Sequence, residues 1–167
     1  MNEEILTQEI LKQCLDYNKE TGEFFWLITT NRKKAGTRAG TQRVDGYRKI
    51  QVKKQLYFEH RLAWLYVYGN FPENVIDHID GNPSNNAIEN LRDVTVAVNS
   101  QNRLKPHTRN KLNLLGVTKT PGGKFNAKIC HDGKRIHLGN FQTKEDAFKS
   151  YQQTQKTLLE KSLAEVA

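Results

Sequence analysis

The stretch Asp77-His78-Ile79-Asp80-Gly81-Asn82, followed by Asn90 and Asn99, decides how this chain is interpreted. It sets a histidine directly beside a carboxylate, with two asparagines downstream at fixed positions. A histidine near its ordinary pKa can accept a proton at neutral pH. Carboxylate and amide oxygens are ligands that a hard divalent cation accepts. The stretch therefore predicts a general base next to an oxygen-ligated metal site.

The residues around this stretch predict a ββα outline. Residues 75–79 form a predicted strand, residues 80–86 a turn-rich loop, and residues 91–94 a returning strand. Thr95 can begin a helix that carries Asn99. On a regular strand Asp77 and His78 would point to opposite faces, so the predicted site needs a strand end or a bend at this point.

The rest of the chain predicts an α+β fold. Upstream lie a helix that begins at Thr7, strands over 24–27, 47–52 and 55–58, and a helix over 59–68 that ends at Gly69. Downstream, three strand-like segments over 115–119, 125–130 and 135–141 are joined by glycine-containing turns, and a helix begins at Thr143. The predicted architecture is an N-terminal α/β region leading into a ββα-metal unit, then a small three-stranded antiparallel sheet plus one helix.

The charge of the chain is unevenly distributed. The net charge is +8 in 167 residues, yet residues 72–93 carry five acidic groups and one basic group, while residues 94–131 contain no Asp or Glu at all. Acidic metal ligands between basic phosphate contacts are expected in a protein that binds a polyanion. No segment is apolar enough to span a bilayer, and two isolated cysteines, Cys14 and Cys130, predict reduced thiols in a cytosolic protein.

Several strings in the region 56–103 resemble the HNH nuclease family, specifically its phage and intron homing-endonuclease branch. They are His60-Arg61-Leu62-Ala63-Trp64, Ile76-Asp77-His78-Ile79-Asp80-Gly81-Asn82, Asn85-Asn86, Glu89-Asn90-Leu91-Arg92 and Asn99-Ser100-Gln101-Asn102-Arg103. The resemblance implies a nuclease domain over residues 1–102, with its metal-binding core at about 74–102, followed by a basic linker over 103–111.

The same resemblance implies a role for each motif residue. His78 is the general base, Asp77 and Asn99 are the metal ligands, and Asn90 holds the loop against the ββα unit by side-chain to backbone hydrogen bonds. The oxygen ligands favour Mg²⁺ or Mn²⁺ over Zn²⁺. His60 and Arg61 are expected to contact DNA, with a purely structural role open for His60. Arg92 either contacts the DNA backbone or balances the local acids.

Residues 112–160 resemble the APETALA-type DNA-binding domain of ethylene-response factors. The match includes Lys134-Arg135-Ile136-His137-Leu138-Gly139 and continues through Phe141, Thr143, Glu145, Ala147 and Tyr151. It implies a DNA-binding domain over 112–167 whose sheet enters a groove. The DNA contacts predicted from the basic segments and this sheet are Arg103, Lys105, Arg109, Lys119, Lys124, Lys128, Arg135 and His137.

Together these features predict a metal-dependent, site-specific DNA endonuclease of the homing type. Its expected partner is double-stranded DNA. It would act in the cytoplasm, that of the host cell if a phage encodes it, as a monomer that nicks or a homodimer that cuts both strands. The alternative is a catalytically inactive DNA-binding regulator built on the same fold. An RNA-binding structural protein is disfavoured because the C-terminal sheet lacks an exposed aromatic pair for stacking bases. The sequence leaves the target site and the biological role open.

Overall fold

The structure, a computed structural model, describes residues 6–102, 106, 110, 112–131 and 133–164. The chain divides into two compact units, Met1–Asp93 and Val94–Ala167. Each unit combines helices with small sheets, so the α+β class predicted from the sequence is the class observed. Within the described ranges, no helix is both long enough and apolar enough to cross a membrane.

Over its described residues, the first unit contains two helices and three small sheets. Strands β1 and β2 form a hairpin, β3, β4 and β5 form an antiparallel sheet in that order, and β6 lies beside β7. In chain order its elements are α1 (Gln8–Cys14), β1 (Leu15–Tyr17), β2 (Phe24–Trp26), β3 (Thr41–Gln42), β4 (Arg48–Val52), β5 (Gln55–Phe58), α2 (Glu59–Tyr68), β6 (Val75–His78), a 3-10 turn (Ile88–Asn90) and β7 (Leu91–Val94), whose last residue begins the second unit.

One hydrophobic core joins the helices and sheets of the first unit. Phe24, Leu11, Leu15, Ile50 and Leu62 are its largest fully buried apolar side chains. Complete burial of each stabilises the fold by about 1.5–3 kcal/mol. In the sequence Leu15 follows Leu11 at helical spacing, but in the structure it is the first residue of β1. The core therefore anchors both α2 and β6, the elements that lead into the motif.

Helix α2 follows β5 without a connecting loop and ends where the sequence predicted. Gly69 adopts a positive φ of 86° and its N–H donates to the carbonyl of Leu65 at 3.0 Å, which ends the helix. The first two residues, Glu59 and His60, are polar but buried. Buried polar side chains need hydrogen-bond partners, so other elements must supply partners for these two residues.

The second unit is a three-stranded antiparallel sheet with helices. The sheet order is β10-β9-β8, with Val117 opposite Ala127, and both of these side chains pack with Ala147 in a small core. This matches the predicted sheet and helix. The elements are α3 (Val96–Gln101), β8 (Val117–Lys119), β9 (Phe125–His131), β10 (Lys134–Phe141) and α4 (Lys144–Ala164).

The compact units divide before α3, whereas the sequence placed the end of its nuclease domain after that helix. Helix α3 contacts α4, and its Val98 side chain is buried, which joins it to the second unit. Of the predicted linker 103–111, only residues 106 and 110 are described. The domain boundaries at 102 and 112 stay a prediction.

Gly22 brings the β1–β2 loop into contact with the backbone at Asn86 and Ala87. Its φ is 73°, and a Cβ added there would lie 2.2 Å from both the carbonyl carbon of Asn86 and the nitrogen of Ala87. The Tyr17 hydroxyl donates to the Asn86 carbonyl at 2.7 Å, and the N–H of Ile88 donates to a carbonyl of the same hairpin at 3.2 Å. The hairpin therefore holds the backbone around Asn86 at three points.

We expect Gly22→Ala to lower the free energy of unfolding by roughly 3 kcal/mol, because left-handed strain and a backbone clash add together. Gly36→Ala is the matched control. Gly36 has a similar φ of 78° but open space around its Cβ position, so this variant should lose only about 1 kcal/mol. Urea unfolding of both variants provides the measurement. Equal losses would show that the close approach at Gly22 is unimportant.

Candidate active site

Asp77 and His78 are the last two residues of β6, and both are only 5% exposed. The strand ends immediately after them, where the N–H of Gly81 donates to the His78 carbonyl at 2.8 Å. Their side chains contact different partners. Asp77 pairs with Arg92 on β7, and His78 bonds Asn86 in the following loop. The strand end expected from the sequence is therefore present.

His78 is one end of a buried chain of polar contacts. Its Nε2 lies 3.1 Å from Oδ1 of Asn86, and Nδ2 of Asn86 donates to Oε2 of Glu59 at 3.0 Å. Glu59 forms ion pairs with Arg48 at 3.1 Å and with Arg38 at 3.9 Å. Asn86 is 1% exposed and Glu59 is fully buried. The chain thus links the histidine to a carboxylate at the start of α2.

Burial lowers the pKa of His78, while the hydrogen bond with Asn86 and the charges of Asp80 and Asp77 oppose that effect. The imidazole is therefore neutral at pH 7 and has one nitrogen lone pair. Burial also raises the pKa of Glu59, against which Arg48 and Arg38 act. A neutral imidazole is the form that a general base requires.

Aromatic rings pack around the His78 imidazole. The His60 ring contacts it edge to face with 5.2 Å between centroids, and the Tyr47 ring lies 5.8 Å away. Phe58 stacks on His60 at 5.3 Å. Burial, with the His78 and Arg61 charges adding to it, lowers the pKa of His60 to about 3. His60 therefore stays neutral in the folded protein.

His60 and Arg61, both predicted to contact DNA, lie in different environments. His60 is only 8% exposed and packed among rings, which leaves little of its surface for a phosphate. Arg61 is half-buried; Nη1 donates to the Asn74 carbonyl at 3.5 Å, and the guanidinium lies over the Phe71 ring. A purely structural role for His60, which the sequence left open, agrees with these surroundings. The DNA contacts of His60 and Arg61 stay predictions.

Asn90 bonds the loop that follows β6 through both ends of its amide. Its Oδ1 accepts from the N–H of Asp80 at 3.0 Å, and its Nδ2 donates to the Asn85 carbonyl at 2.8 Å. Asp80 in turn accepts from both asparagine amides. These contacts close the loop between residues 80 and 90 on itself.

The donor chemistry of Asp77 fits a hard divalent cation. Oδ2 accepts from Nε of Arg92 at 2.8 Å and lies 2.6 Å from Nη2. An ionised carboxylate offers about four lone-pair sites, so this ion pair and metal ligation are compatible. Within the described ranges, no three His, Cys, Asp or Glu side chains cluster as a metal site would require. Asn99 lies half-buried on α3, in the second unit.

The basic residues predicted on the C-terminal sheet are exposed, but they do not all share one face. Strand register sets His137 opposite Lys128 and Arg135 opposite Cys130. Because side chains alternate along a strand, Lys128, Arg135 and His137 lie on the face opposite Ala127. Lys119 ends β8 and Lys124 precedes β9. Three further predicted contacts lie outside the described residues: Arg103, Lys105 and Arg109.

Comparison with known proteins bears on this site directly. Residues 57–101 match the family model described as HNH endonuclease. This segment is therefore similar to the HNH endonuclease family. It is 33% identical over 94 residues to DNA endonuclease I-HmuI of Bacillus phage SP01, covering 53% of this chain and 54% of that protein. It is 34% identical to the uncharacterized HNH endonuclease L560 of Acanthamoeba polyphaga mimivirus, covering 55% and 48%.

A solved structure titled "DNA binding and cleavage by the HNH homing endonuclease I-HmuI" is 29% identical, with a TM-score of 0.41, covering 53% of this chain and 51% of that chain. The chain spans about half the length of the curated relatives that it matches. The HNH match includes the Asp77-His78 pair, Asn90 and Asn99, and it runs past the division between the compact units.

Sequence reasoning missed two residues at the candidate site: Asn86, which bonds His78, and Glu59, which bonds Asn86. Asn86 was treated only as part of the Asn85-Asn86 string in a turn-rich loop. Burial distinguishes the two asparagines, since Asn86 is buried and Asn85 is not. The nearest available signal was Glu59 itself, an acidic residue in a segment that is otherwise basic.

We expect the free energy of unfolding of the protein to fall as the pH decreases from about 6.5 towards 3, partly because of His60. The folded pKa of about 3 lies below the ordinary value of 6.5, so the unfolded chain binds a proton first. His60→Phe removes this effect. Between pH 6.5 and 4.5 its free energy of unfolding should fall less than that of the native protein, by roughly 1 kcal/mol per pH unit. Urea unfolding at both pH values measures it. Parallel losses in both proteins would contradict the burial of a neutral His60.

Proposed function

We propose that this chain is a metal-dependent, site-specific DNA endonuclease of the homing type that hydrolyses phosphodiester bonds. The observation that carries the proposal is a buried His78 beside Asp77 at a strand end, within a segment that matches the HNH endonuclease family. Relatives named as endonucleases support the activity. The chain spans only about half the length of these relatives, so the activity of the whole protein is proposed.

In the proposed reaction, His78 acts as the general base. Its imidazole accepts a proton from a water molecule, and the electron pair of the broken O–H bond forms the new bond to phosphorus. The phosphorus bond to the leaving 3′-oxygen breaks, and that oxygen receives a proton from solvent. The rings of Tyr47 and His60 pack against the imidazole, and burial favours its neutral form. A positioned base of this kind contributes about 10²- to 10⁴-fold to the rate.

Asp77 and Asn99 are the proposed ligands of Mg²⁺ or Mn²⁺. When bound, such a cation supplies positive charge that stabilises the phosphate and the leaving oxygen. Asp77 contributes a carboxylate whose position is set by Arg92. Asn99 contributes an amide oxygen, on the strength of the family resemblance. Asn90 keeps the loop after His78 closed, as its contacts with Asp80 and Asn85 suggest.

Double-stranded DNA is the proposed substrate and partner. The exposed basic face formed by Lys128, Arg135 and His137 supports contact between the second unit and DNA. Its APETALA-type identity and a specific target site are part of the proposal. Because one chain carries one His78, a monomer would nick one strand, and a double-strand break requires two chains or sequential nicks.

We expect His78→Ala to lower the nicking rate of supercoiled plasmid by about 10²- to 10⁴-fold, because the water loses its proton acceptor. DNA affinity, measured by gel shift without divalent metal, should stay close to that of the native protein. Asp77→Asn should also lose cleavage. This substitution keeps the volume of the side chain that faces Arg92. A fully active His78→Ala protein would refute this assignment. A native protein that binds DNA but never nicks it would favour the inactive regulator.

Cleavage should require added Mg²⁺ or Mn²⁺, because carboxylate and amide oxygens are hard ligands. Treatment with EDTA should abolish plasmid nicking, and excess Mg²⁺ or Mn²⁺ should restore it. Zn²⁺ should restore it poorly. Undiminished nicking in EDTA would rule out the metal-dependent mechanism while leaving the role of His78 open to the alanine test.

A further inference from the structure

Asn86 lies at the centre of a buried hydrogen-bond chain that the proposed reaction does not itself use. We infer that Asn86 and Glu59 are positioning residues that hold the His78 imidazole with its proton on Nε2 and its lone pair on Nδ1. Nδ1 is then the atom that accepts the proton from water. That catalytic consequence rests on the proposed function, whereas the protonation state of the ring can be tested without it.

The orientation of the Asn86 amide follows from its partners. An amide has two N–H donors on nitrogen and an acceptor oxygen. Nδ2 faces two acceptors, the Glu59 carboxylate at 3.0 Å and the Ser84 carbonyl at 3.5 Å. Oδ1 therefore faces His78, and a contact of 3.1 Å with an oxygen acceptor requires a proton on Nε2. In a neutral imidazole the lone pair is then on Nδ1.

Glu59 fixes the direction of this chain because it acts as an acceptor. Its carboxylate is fully buried and forms ion pairs with Arg48 and Arg38, which favour the ionised form. The reversed Asn86 amide would turn Oδ1 towards the Glu59 carboxylate and set two acceptor oxygens against each other with no proton between them. Arg38 is itself bonded to Glu23, so the ion pairs join Glu59 to the hairpin region.

The backbone of Asn86 is held independently of its side chain. The Tyr17 hydroxyl bonds its carbonyl, and Gly22 packs against it closely enough to exclude a Cβ. Anchoring of both the backbone and the amide leaves Asn86 a single position from which to bond His78. A purely structural asparagine in a loop needs neither the ion-paired acceptor nor this alignment with an imidazole nitrogen.

This arrangement suits a base that becomes charged during the reaction. When Nδ1 accepts the proton from water, both ring nitrogens carry N–H groups and the imidazole becomes a cation. The existing Nε2–H bond to Asn86 then becomes charge-assisted, and the Glu59 carboxylate lies behind the amide that accepts it. No ring rotation or second proton transfer is needed. The same relation between a base and an orienting acceptor operates in catalytic triads.

The test is the ring protonation of His78 in the full chain, read from long-range ¹H–¹⁵N correlation spectra without metal or DNA above pH 7. The native protein should show His78 in the Nε2–H form alone. Asn86→Ala should give averaged ring nitrogen shifts and lose the slowly exchanging Nε2 proton. Asn85→Ala is the matched control, since its amide bonds Asp80 in the same loop, and it should keep the native pattern.

Asn86 is almost fully buried, and its truncation also destabilises the fold, so the same spectra are recorded for a second variant, Glu59→Gln. There an amide, which can donate as well as accept, replaces the carboxylate. His78 should again show averaged nitrogen shifts. The plasmid nicking rate should fall about 10- to 100-fold, with DNA affinity within about 2-fold of native.

An Nδ1–H ring in the native protein would overturn the inference, and so would unchanged His78 shifts in the Glu59→Gln protein. A nicking rate and a DNA affinity that fall together would also overturn it. If the native protein does not nick DNA, the proposed function fails, and the spectra alone still decide whether Asn86 and Glu59 set the protonation of His78.

Discussion

The buried carboxylate of Glu59 is the constraint around which the first unit is arranged. A carboxylate removed from water is unfavourable unless charges and hydrogen-bond donors surround it. Here the donors come from separate parts of the chain: Arg48 from β4, Arg38 from the segment before β3, and Asn86 from the loop after β6. Satisfying one side chain at the start of α2 therefore brings together the sheet, the helix and the motif loop.

That arrangement separates the properties of two neighbouring histidines. Burial lowers the pKa of both His60 and His78. At His60 the neighbouring positive charges add to the effect, so its pKa falls to about 3. At His78 the Asn86 hydrogen bond and the carboxylates of Asp80 and Asp77 oppose it. Of two imidazoles in edge-to-face contact, the surroundings therefore suit His78 to gaining a proton and His60 to packing.

Local patterns in the sequence predicted most elements, because their causes are local. Thr7 and Thr95 accept backbone N–H groups at helix starts, and Gly69 ends α2 by adopting a positive φ. Roles that depend on burial were not predictable. Asn85 and Asn86 are equivalent in sequence, yet only Asn86 meets Glu59, a contact between residues 27 positions apart. No periodicity or motif spacing encodes such a contact, since it exists only once the core has closed.

Arg92 shows why the chemistry at Asp77 cannot be separated from the fold. The sequence left two roles open for this arginine, and its bonds to Asp77 show that it balances a local acid. The pair joins β6 to β7 and is largely buried, and removing one partner from such a pair typically costs about 3–5 kcal/mol. Truncating Asp77 would therefore weaken the strand pair that positions His78 as well as removing an oxygen ligand. His78 is the clearer probe of catalysis, because the loss of its base function does not leave an unpaired buried charge.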